Sequence, residues 1–360
     1  MTVYNFSAGP AVLPKPVLEK VQAELLNYQS CGCSVLEMSH RSPEFEGILN
    51  KAEQDFRKIL SIPSDYAVLF MQGGCSTQFS AVVYNLVVDL DKPVDYIVTG
   101  AWSKKAKEEA ARLGLKVNAT TKEALEFSKD PSFIYYCDNE TVHGVEMPVD
   151  FVDKLPKNIP IVCDMSSNFM SRPFDVTKYS VIIGGAQKNI GPAGLTLVIV
   201  KKDLLGKFAQ CPLKGPLMLD YKLMADQGSM YNTPPTFAIY VSGLCFEWVL
   251  AIGGIEKIAA LNKAKSQVLY EGLQKYPSVF SFPVEEAYRS RMNVPFRILK
   301  DGKPNEELEK DFIKGAEKLG MICLAGHRSV GGIRASLYNA LPIEAVEFLV
   351  QYAHSFALKQ

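Results

Sequence analysis

The chain has 360 residues, of which 48% are hydrophobic and 22% are charged, as in an ordinary globular protein. This length suits about two or three domains. The 39 Lys and Arg residues balance the 39 Asp and Glu residues, so the net charge is zero. Without an overall basic field, nothing favours nucleic acid or an anionic membrane surface as a partner, and we expect neither.

The N-terminal stretch MTVYNFSAGPAVLP lacks the basic segment and apolar run of a secretory signal. Eight cysteines are scattered along the chain, and no Cys/His pair with zinc-ligand spacing lies near the close pair Cys31 and Cys33. We therefore expect reduced thiols, no metal and a cytoplasmic location. The longest apolar stretch, FAIYVSGLCFEWVLAIGG, is interrupted by Glu247, which indicates a buried helix rather than a membrane span.

Two helical patterns open the chain, at residues 14–28 and 43–60, and Ser42 is the expected N-cap of the second. Strands and helices then alternate, starting with YAVLFMQGGCSTQFSAVVYNLV and VDYIVTGAWSKKAKEEAARLG. Four more apolar runs, SFIYYC, IPIVCD, YSVIIGG and LTLVIV, predict further strands. This alternation predicts an α/β fold with a mostly parallel sheet covered by helices on both faces.

A second, smaller unit follows the sequence YNTPPT and a long helical region that Gly253 and Gly254 interrupt. Its elements are a strand at MNVPFRIL, an amphipathic helix, strands near MICLA and IRASLY, and a final helix. We predict a large domain at residues 16–255 and a small α+β domain at residues 256–360. The N-terminal segment 1–15 is predicted to belong to the small domain.

Polar clusters follow the predicted strands at residues 73–78, 102, 139–141, 164–167 and 187–188. In open α/β sheets, ligands bind beyond the carboxyl ends of the strands. The clusters therefore predict one binding site at that edge of the sheet.

Lys188 stands in a Gly-rich turn between two runs that read as interior strands, where a charged ammonium is costly to bury. A phosphate-loop lysine would need the pattern G-x-x-x-x-G-K-[ST], which Gln187 and Asn189 do not provide. A Schiff-base lysine fits better. Its uncharged amine requires a lowered pKa, which a dry site beside a cationic group would supply.

Pyridoxal phosphate forms a Schiff base with such a lysine, and its ring and phosphate require binding groups that the other polar clusters can supply. A carboxylate must face its ring nitrogen, and Asp164 closes the strand IPIVCD. Its phosphate requires backbone N–H groups at a helix N-terminus, which GGCSTQF provides. Trp102, at the end of the next strand, offers a ring for stacking.

Each feature also has a plainer interpretation. Lys188 alone fits a solvated lysine, Asp164 a turn residue and Trp102 a core side chain, while GGCSTQ fits an ordinary helix cap. Their order along the chain, each after an apolar strand, favours the cofactor site. A cofactor-free anion-binding protein remains the alternative from another class.

Several segments make the chain similar to a known family: NFSAGPAVLP, SHRSPEF, NET followed by HG, GAQKNIGPAGLT, GSMYNTPPTF, SRMNVPF and GHRSVGGIRASLYNA. The chain resembles the phosphoserine aminotransferase family among the class V aminotransferases of fold type I. This resemblance implies a mostly parallel seven-stranded sheet with a smaller α+β domain. It also implies pyridoxal 5'-phosphate as cofactor and amino transfer between glutamate and 3-phosphohydroxypyruvate, with 4-phosphohydroxythreonine chemistry left open.

The resemblance also implies roles for individual residues. Lys188 would carry the cofactor, and the other cofactor-binding residues would be Gly74, Cys75, Ser76, Trp102, Thr141, Asp164 and Gln187. Asn232 and Thr233 would reach the cofactor phosphate of the other subunit, which implies a homodimer with shared sites. Arg334 would bind the substrate α-carboxylate, and Arg41, His327 and Arg328 would bind the substrate phosphate.

Two positions depart from the family pattern. Ser76 stands where some members have an arginine that contributes to the substrate-phosphate site, and Ala8 stands where others have serine. Neither departure touches the cofactor chemistry. Another class V aminotransferase, acting on alanine or serine with glyoxylate, is the nearest alternative. The basic residues Arg41, His327 and Arg328 argue against it, because an unphosphorylated substrate does not require them.

Overall fold

The computed structural model describes residues 2–360. These residues form nine α-helices: α1 (Lys15–Glu24), α2 (Pro43–Leu60), α3 (Gly74–Leu86), α4 (Ala101–Arg112), α5 (Tyr221–Asp226), α6 (Thr236–Ala251), α7 (Gly254–Gln274), α8 (Glu306–Lys318) and α9 (Ile343–Ala357). The same residues form fifteen strands: β1 (Tyr4–Asn5), β2 (Tyr66–Gln72), β3 (Val94–Ile97), β4 (Val117–Thr120), β5 (Ile134–Cys137), β6 (Asn139–Glu140), β7 (Val145–Glu146), β8 (Ile161–Asp164), β9 (Val181–Gly185), β10 (Leu195–Lys201), β11 (Phe280–Ser281), β12 (Asn293–Lys300), β13 (Lys303–Pro304), β14 (Met321–Ile322) and β15 (Ile333–Ser336).

Seven strands form the central sheet, in the order β2-β10-β9-β8-β5-β3-β4. Only β10 runs antiparallel to its neighbours in this sheet, which confirms the predicted mostly parallel arrangement. In the register of β5 and β8, Cys137 lies opposite Asp164. The polar residues that follow these strands therefore meet at one edge.

The two faces of the sheet bury separate hydrophobic cores. In β2, Tyr66, Val68 and Phe70 enter the core shared with α2 and α6. Leu69 and Met71 enter the other core, which is shared with α3 and α4. Because successive side chains of a strand point to opposite faces, a strand that is apolar throughout requires cover on both sides.

A third core combines Phe6 with residues from 269 onward, including Phe296, Phe312 and Leu349. Next to Phe6, strand β1 pairs in parallel with β14, so that Tyr4 lies opposite Met321. The N-terminal segment thus packs with the C-terminal part of the chain. The exact domain boundary at residues 255 and 256 stays a prediction.

Two helices show what local signals could and could not predict. The Ser42 side chain caps α2 by accepting a hydrogen bond from the Phe45 N–H over 3.3 Å, as predicted. Helix α1 ends at Glu24 instead of continuing to residue 28. The Tyr28 N–H bonds to the carbonyl of Cys33 over 2.9 Å, so it is taken by the following turn rather than by the helix.

Helix α6 contains the longest apolar stretch, and most of its side chains are buried, as predicted. In residues 2–360, no single helix combines the length and apolar composition of a membrane span. The pair α6 and α7, bent by 85°, meets those two criteria only when taken together.

Candidate active site

A cavity of about 110 Å³ lies at the carboxyl edge of the central sheet. Its lining comes from the first turn of α3, from α4, and from the segments that follow β5, β8 and β9. The lining residues are Gly74, Cys75, Ser76, Trp102, Cys137, Asn139, Thr141, Asp164, Ser166, Ser167, Gln187 and Lys188. Eight of the predicted site residues are therefore brought together in one chain.

Lys188 lies in the turn between β9 and β10, and only 8% of the residue is exposed. The turn closes where the Ala186 N–H bonds to the Leu195 carbonyl and the Gly191 N–H bonds to the Ala186 carbonyl. Its Nζ donates to Oγ1 of Thr141 over 2.7 Å and lies 5.7 Å from the centre of the Trp102 ring. The lysine thus points into the cavity rather than into solvent.

Burial lowers the pKa of the Lys188 amine below its ordinary value, because a low-dielectric site disfavours the ammonium. The negative charge of Asp164 acts in the opposite direction. We predicted that a cationic neighbour would contribute to the lowering. In the structure, desolvation is the largest cause of the lowering, and the contribution of a cationic neighbour stays a prediction.

Asp164 ends β8 and is buried. One of its carboxylate oxygens accepts hydrogen bonds from the N–H and the hydroxyl of Ser166, over 2.9 and 2.6 Å. The other lies 3.4 Å from the Tyr135 hydroxyl. These contacts fix the carboxylate at the floor of the cavity.

The first turn of α3 forms another wall. Gly73 and Gly74 both have positive φ, and a Cβ at Gly73 would lie 2.3 Å from Oγ1 of Thr77. Sγ of Cys75 lies 2.8 Å from Oγ of Ser166, and burial raises the pKa of the Cys75 thiol. The thiol is thus a packed neutral group beside backbone N–H groups that the helix itself leaves unpaired.

Trp102 stands in the first turn of α4. Its indole Nε1 is buried and has no hydrogen-bond partner among the described residues. An indole N–H that is buried normally finds a partner, so this atom marks room for a polar group. Nζ of Lys105 lies 4.5 Å from the centre of the same ring, a contact between residues three positions apart on the helix.

Arg334 connects the small α+β unit to the cavity. One guanidinium nitrogen, Nη1, donates to the carbonyl of Thr141 over 3.3 Å, and burial lowers the pKa of the Arg334 guanidinium. His327 is nearby: desolvation lowers the pKa of its imidazole, and the charges of Arg334, Arg328 and Lys105 lower it further. We call His327, Arg328, Arg334 and Lys105 the basic cluster because the charges of the other three act on the His327 imidazole, and Lys105 was not predicted.

Six predicted residues do not line this cavity: Arg334, His327 and Arg328, described above, and Arg41, Asn232 and Thr233. Arg41 is exposed, and its backbone N–H bonds to Oγ of Ser39 over 3.2 Å. Asn232 and Thr233 are exposed as well, and Gln72 donates to the Asn232 side chain and the Thr233 carbonyl. Their predicted roles require a second subunit and stay predictions.

Sequence reasoning assigned no role to Ser166 or Glu140, although both fall in polar clusters that it identified. Ser166 contacts Asp164 and Cys75 and accepts the Gly185 N–H over 3.2 Å. The spacing of Asp164 and Ser166, two residues apart, is a local signal for such a contact. Glu140 carried no comparable signal, since its partners belong to a different element.

Comparison with known proteins agrees with this geometry. The family described as Aminotransferase class-V matches residues 3–349. The chain is 48% identical to phosphoserine aminotransferase of Ectopseudomonas mendocina, over 98% of this chain and 97% of that protein. It is also 48% identical to the chloroplastic phosphoserine aminotransferase 1 of Arabidopsis thaliana, over 99% and 83% of the two chains.

The chain belongs to the class V aminotransferase family.

Solved structures of this family extend the likeness to the fold. A PLP-bound phosphoserine aminotransferase from Trichomonas vaginalis has a TM-score of 0.90 and 39% identity, over 98% of this chain and 100% of that one. Phosphoserine aminotransferase from Bacillus circulans subsp. alkalophilus has a TM-score of 0.92 and 37% identity, over 99% of each chain. An alanine–glyoxylate aminotransferase from Nostoc, with a TM-score of 0.78 and 16% identity over 99% and 96% of the chains, shares the fold alone.

Proposed function

We propose that this class V aminotransferase is a pyridoxal-phosphate-dependent phosphoserine aminotransferase. It would move an amino group between glutamate and 3-phosphohydroxypyruvate, giving 2-oxoglutarate and O-phospho-L-serine. The observation that carries the proposal is the buried Lys188 in a cavity with Asp164 and Trp102, next to the basic cluster. The relatives named phosphoserine aminotransferase, at 48% identity over nearly the whole chain, support it.

The residues of the cavity fit the cofactor. Within residues 2–360, the buried indole Nε1 of Trp102 has no hydrogen-bond partner, and the first turn of α3 supplies N–H groups that no side chain caps. Asp164 would pair with the pyridine nitrogen, Trp102 would stack on the ring, and Gly74, Cys75 and Ser76 would hold the phosphate. Lys188 would form the covalent attachment. When bound, pyridoxal phosphate supplies the electron sink that amino transfer requires.

Lys188 then has a second task as acid and base. Burial lowers its pKa, which favours the neutral amine that can accept a proton at Nζ. Oγ1 of Thr141, 2.7 Å away, orients that nitrogen. We propose that Nζ would take the proton from the substrate α-carbon and deliver it to the C4' carbon of the cofactor.

The two charges of the substrate have separate partners in this proposal. Arg334, anchored on the Thr141 carbonyl, would bind the α-carboxylate as a bidentate fork. His327 and Arg328 would bind the phosphate, which carries about −1.5 to −2 charges near pH 7. Arg41 would add to this group, and Ser76 cannot supply the positive charge that an arginine provides in some relatives.

We further propose a homodimer in the cytoplasm. Asn232 and Thr233 are exposed and do not line the cavity of their own chain. A two-fold arrangement would let them complete the phosphate site of the other subunit, and would do so twice, once in each site.

A comparison of keto acids tests the proposed reaction. The purified protein is assayed with glutamate and one keto acid at a time, and kcat/KM is measured for each keto acid. The phosphorylated keto acids are 3-phosphohydroxypyruvate and the one that corresponds to 4-phosphohydroxythreonine, and the unphosphorylated ones are hydroxypyruvate and glyoxylate. We expect strong preference for a phosphorylated keto acid. Equal or higher kcat/KM with glyoxylate would replace the proposal with the glyoxylate-type alternative, and a colourless protein with no visible absorption band would support the cofactor-free one.

A further inference from the structure

Glu140 holds the end of a helix that carries a cavity wall. The residue is completely buried, and its carboxylate accepts three hydrogen bonds from the first turn of α4. Oε2 accepts the Trp102 N–H over 3.0 Å, and Oε1 accepts the N–H and the hydroxyl of Ser103 over 2.8 and 2.6 Å. An anion at this position also matches the positive end of the helix dipole.

The neighbouring residues leave room for this contact. A Cβ at Gly100 would lie only 2.6 Å from Cδ of Glu140, so the absence of a side chain there lets the carboxylate approach. The Ser103 hydroxyl, which donates to Glu140, also accepts the N–H groups of Thr99 and Gly100 over 2.9 and 3.1 Å. At the start of α4, the Trp102 and Ser103 N–H groups and the Ser103 hydroxyl are therefore arranged around one carboxylate, while the Ala101 N–H bonds to Nδ1 of His143 over 3.2 Å.

The backbone of Glu140 leads into a second lining residue of the cavity, Thr141. Its carbonyl accepts the Gly144 N–H over 2.7 Å, and it pairs with Val145 in the small sheet of β6 and β7. Thr141, the next residue, accepts the hydrogen bond from Lys188. The negative charge of Glu140 is also among the causes that raise the pKa of Lys188 against the effect of burial.

We propose that Glu140 is a positioning residue that sets the Trp102 ring and the Thr141 hydroxyl at a fixed separation across the cavity. Its carboxylate controls the ring through the helix start, and its backbone controls the partner of the lysine. The role in cofactor stacking rests on the proposed function, whereas the control of the helix start does not.

An ordinary helix cap is the competing explanation, and the chain contains a matched example. Asp220 caps α5 through its side chain, which accepts the N–H groups of Lys222 and Leu223 over 2.8 and 3.3 Å. It does not line the cavity. Asp220→Asn therefore reports what the loss of a capping residue's negative charge does on its own.

The test compares Glu140→Gln with Asp220→Asn. A carboxamide has one acceptor oxygen, so in Glu140→Gln an NH₂ group must face either the Trp102 or the Ser103 N–H. We expect faster hydrogen exchange at those two amides in the cofactor-free protein, and a pyridoxal phosphate dissociation constant raised by about ten- to a hundredfold. In Asp220→Asn, the amide oxygen can still accept both N–H groups, which share Oδ1 of Asp220, so exchange at Lys222 and Leu223 should change little and cofactor affinity should not change.

A second readout is the pKa of Lys188 in the cofactor-free protein, measured by the pH dependence of its rate of modification by an amine reagent. Removing the charge of Glu140 should lower this pKa, and Asp220→Asn should not change it. Unchanged exchange at Trp102 and Ser103, or equal cofactor losses in the two variants, would overturn the inference. A wild-type protein that binds no pyridoxal phosphate would overturn the proposed function instead, and the exchange and lysine readouts would still decide the role of Glu140.

Discussion

Asn339 donates its backbone N–H to the side-chain oxygen of Asn189 over 2.9 Å. Asn189 directly follows Lys188, and Asn339 follows β15, which carries Arg334. The Asn339 side chain also donates to the Met170 carbonyl over 2.9 Å. The lysine turn and the arginine strand are thus joined through buried hydrogen bonds, although they belong to different hydrophobic cores.

Lys188→Ala should fold normally and lose amino transfer. A buried ammonium is costly, so its removal does not require a loss of stability, whereas the covalent attachment and the proton carrier both disappear. Borohydride treatment followed by mass measurement should show a cofactor adduct in the wild type and none in the variant. Lys202→Ala, at an exposed lysine, is the control. Near-parental turnover in Lys188→Ala would refute the catalytic assignment.

Arg328→Ala and Arg334→Ala should impair different half reactions. Hydrogen bonds to a charged group are worth roughly 1.5 to 3 kcal/mol, so Arg328→Ala should raise KM for 3-phosphohydroxypyruvate by about ten- to a hundredfold. Its half reaction with glutamate should change much less. Arg334→Ala should impair both, because every substrate presents an α-carboxylate. Single-turnover measurements with glutamate and with phosphoserine separate the two, and equal losses in Arg328→Ala would remove that residue from the phosphate site.

Mixed dimers test whether the sites are shared. Lys188→Ala alone is expected to be inactive, and a Thr233→Ala variant is expected to bind the cofactor weakly. After subunit exchange, a heterodimer should contain one composite site with both wild-type residues, so part of the activity should return. Exchange is verified independently by mass measurement of differently tagged subunits. Verified heterodimers without recovered activity would argue that Thr233 acts within its own chain.

Lys265 should make stability depend on pH. Its Nζ donates to the carbonyls of Leu337, Tyr338 and Leu341 over 2.9, 2.6 and 3.1 Å, and burial lowers the pKa of the amine to about 7. The unfolded chain, with a lysine pKa of about 10.4, binds more protons above pH 7. This residue therefore makes the folded state relatively more stable as pH rises from about 7 to 10, by at most about 1.4 kcal/mol per pH unit.

The measurement compares urea unfolding at pH 7, 8 and 9 for the wild type, Lys265→Met and the exposed control Lys263→Met. The stability of the wild type relative to Lys265→Met should increase with pH. Relative to Lys263→Met it should stay constant. A wild type and Lys265→Met pair that respond to pH in parallel would show that Lys265 does not titrate in this range.

Local sequence signals predicted the strands, the Ser42 cap and the cavity side chains that directly follow strand ends. Those features depend on neighbouring residues in the sequence and on the rule that ligands bind at the carboxyl edge of a parallel sheet, so a single sequence is enough to predict them. The contacts of Glu140 with Ser103, and of Lys265 with Leu337, join distant parts of the chain that no periodicity connects. Even α1 was predicted too long, because the turn after it competes for the Tyr28 N–H.

The pairing of β1 with β14 orders the events of synthesis. Strand β1 leaves the ribosome before the central sheet, whereas its partner at Met321 and Ile322 emerges only after every strand of that sheet. The central sheet can form while β1 still lacks its partner strand, since domains fold as units during synthesis. A nascent chain arrested before residue 321 should therefore contain a folded central sheet and an N-terminal segment that proteases cleave. Once residues 321 and 322 have emerged and paired with β1, this cleavage should stop.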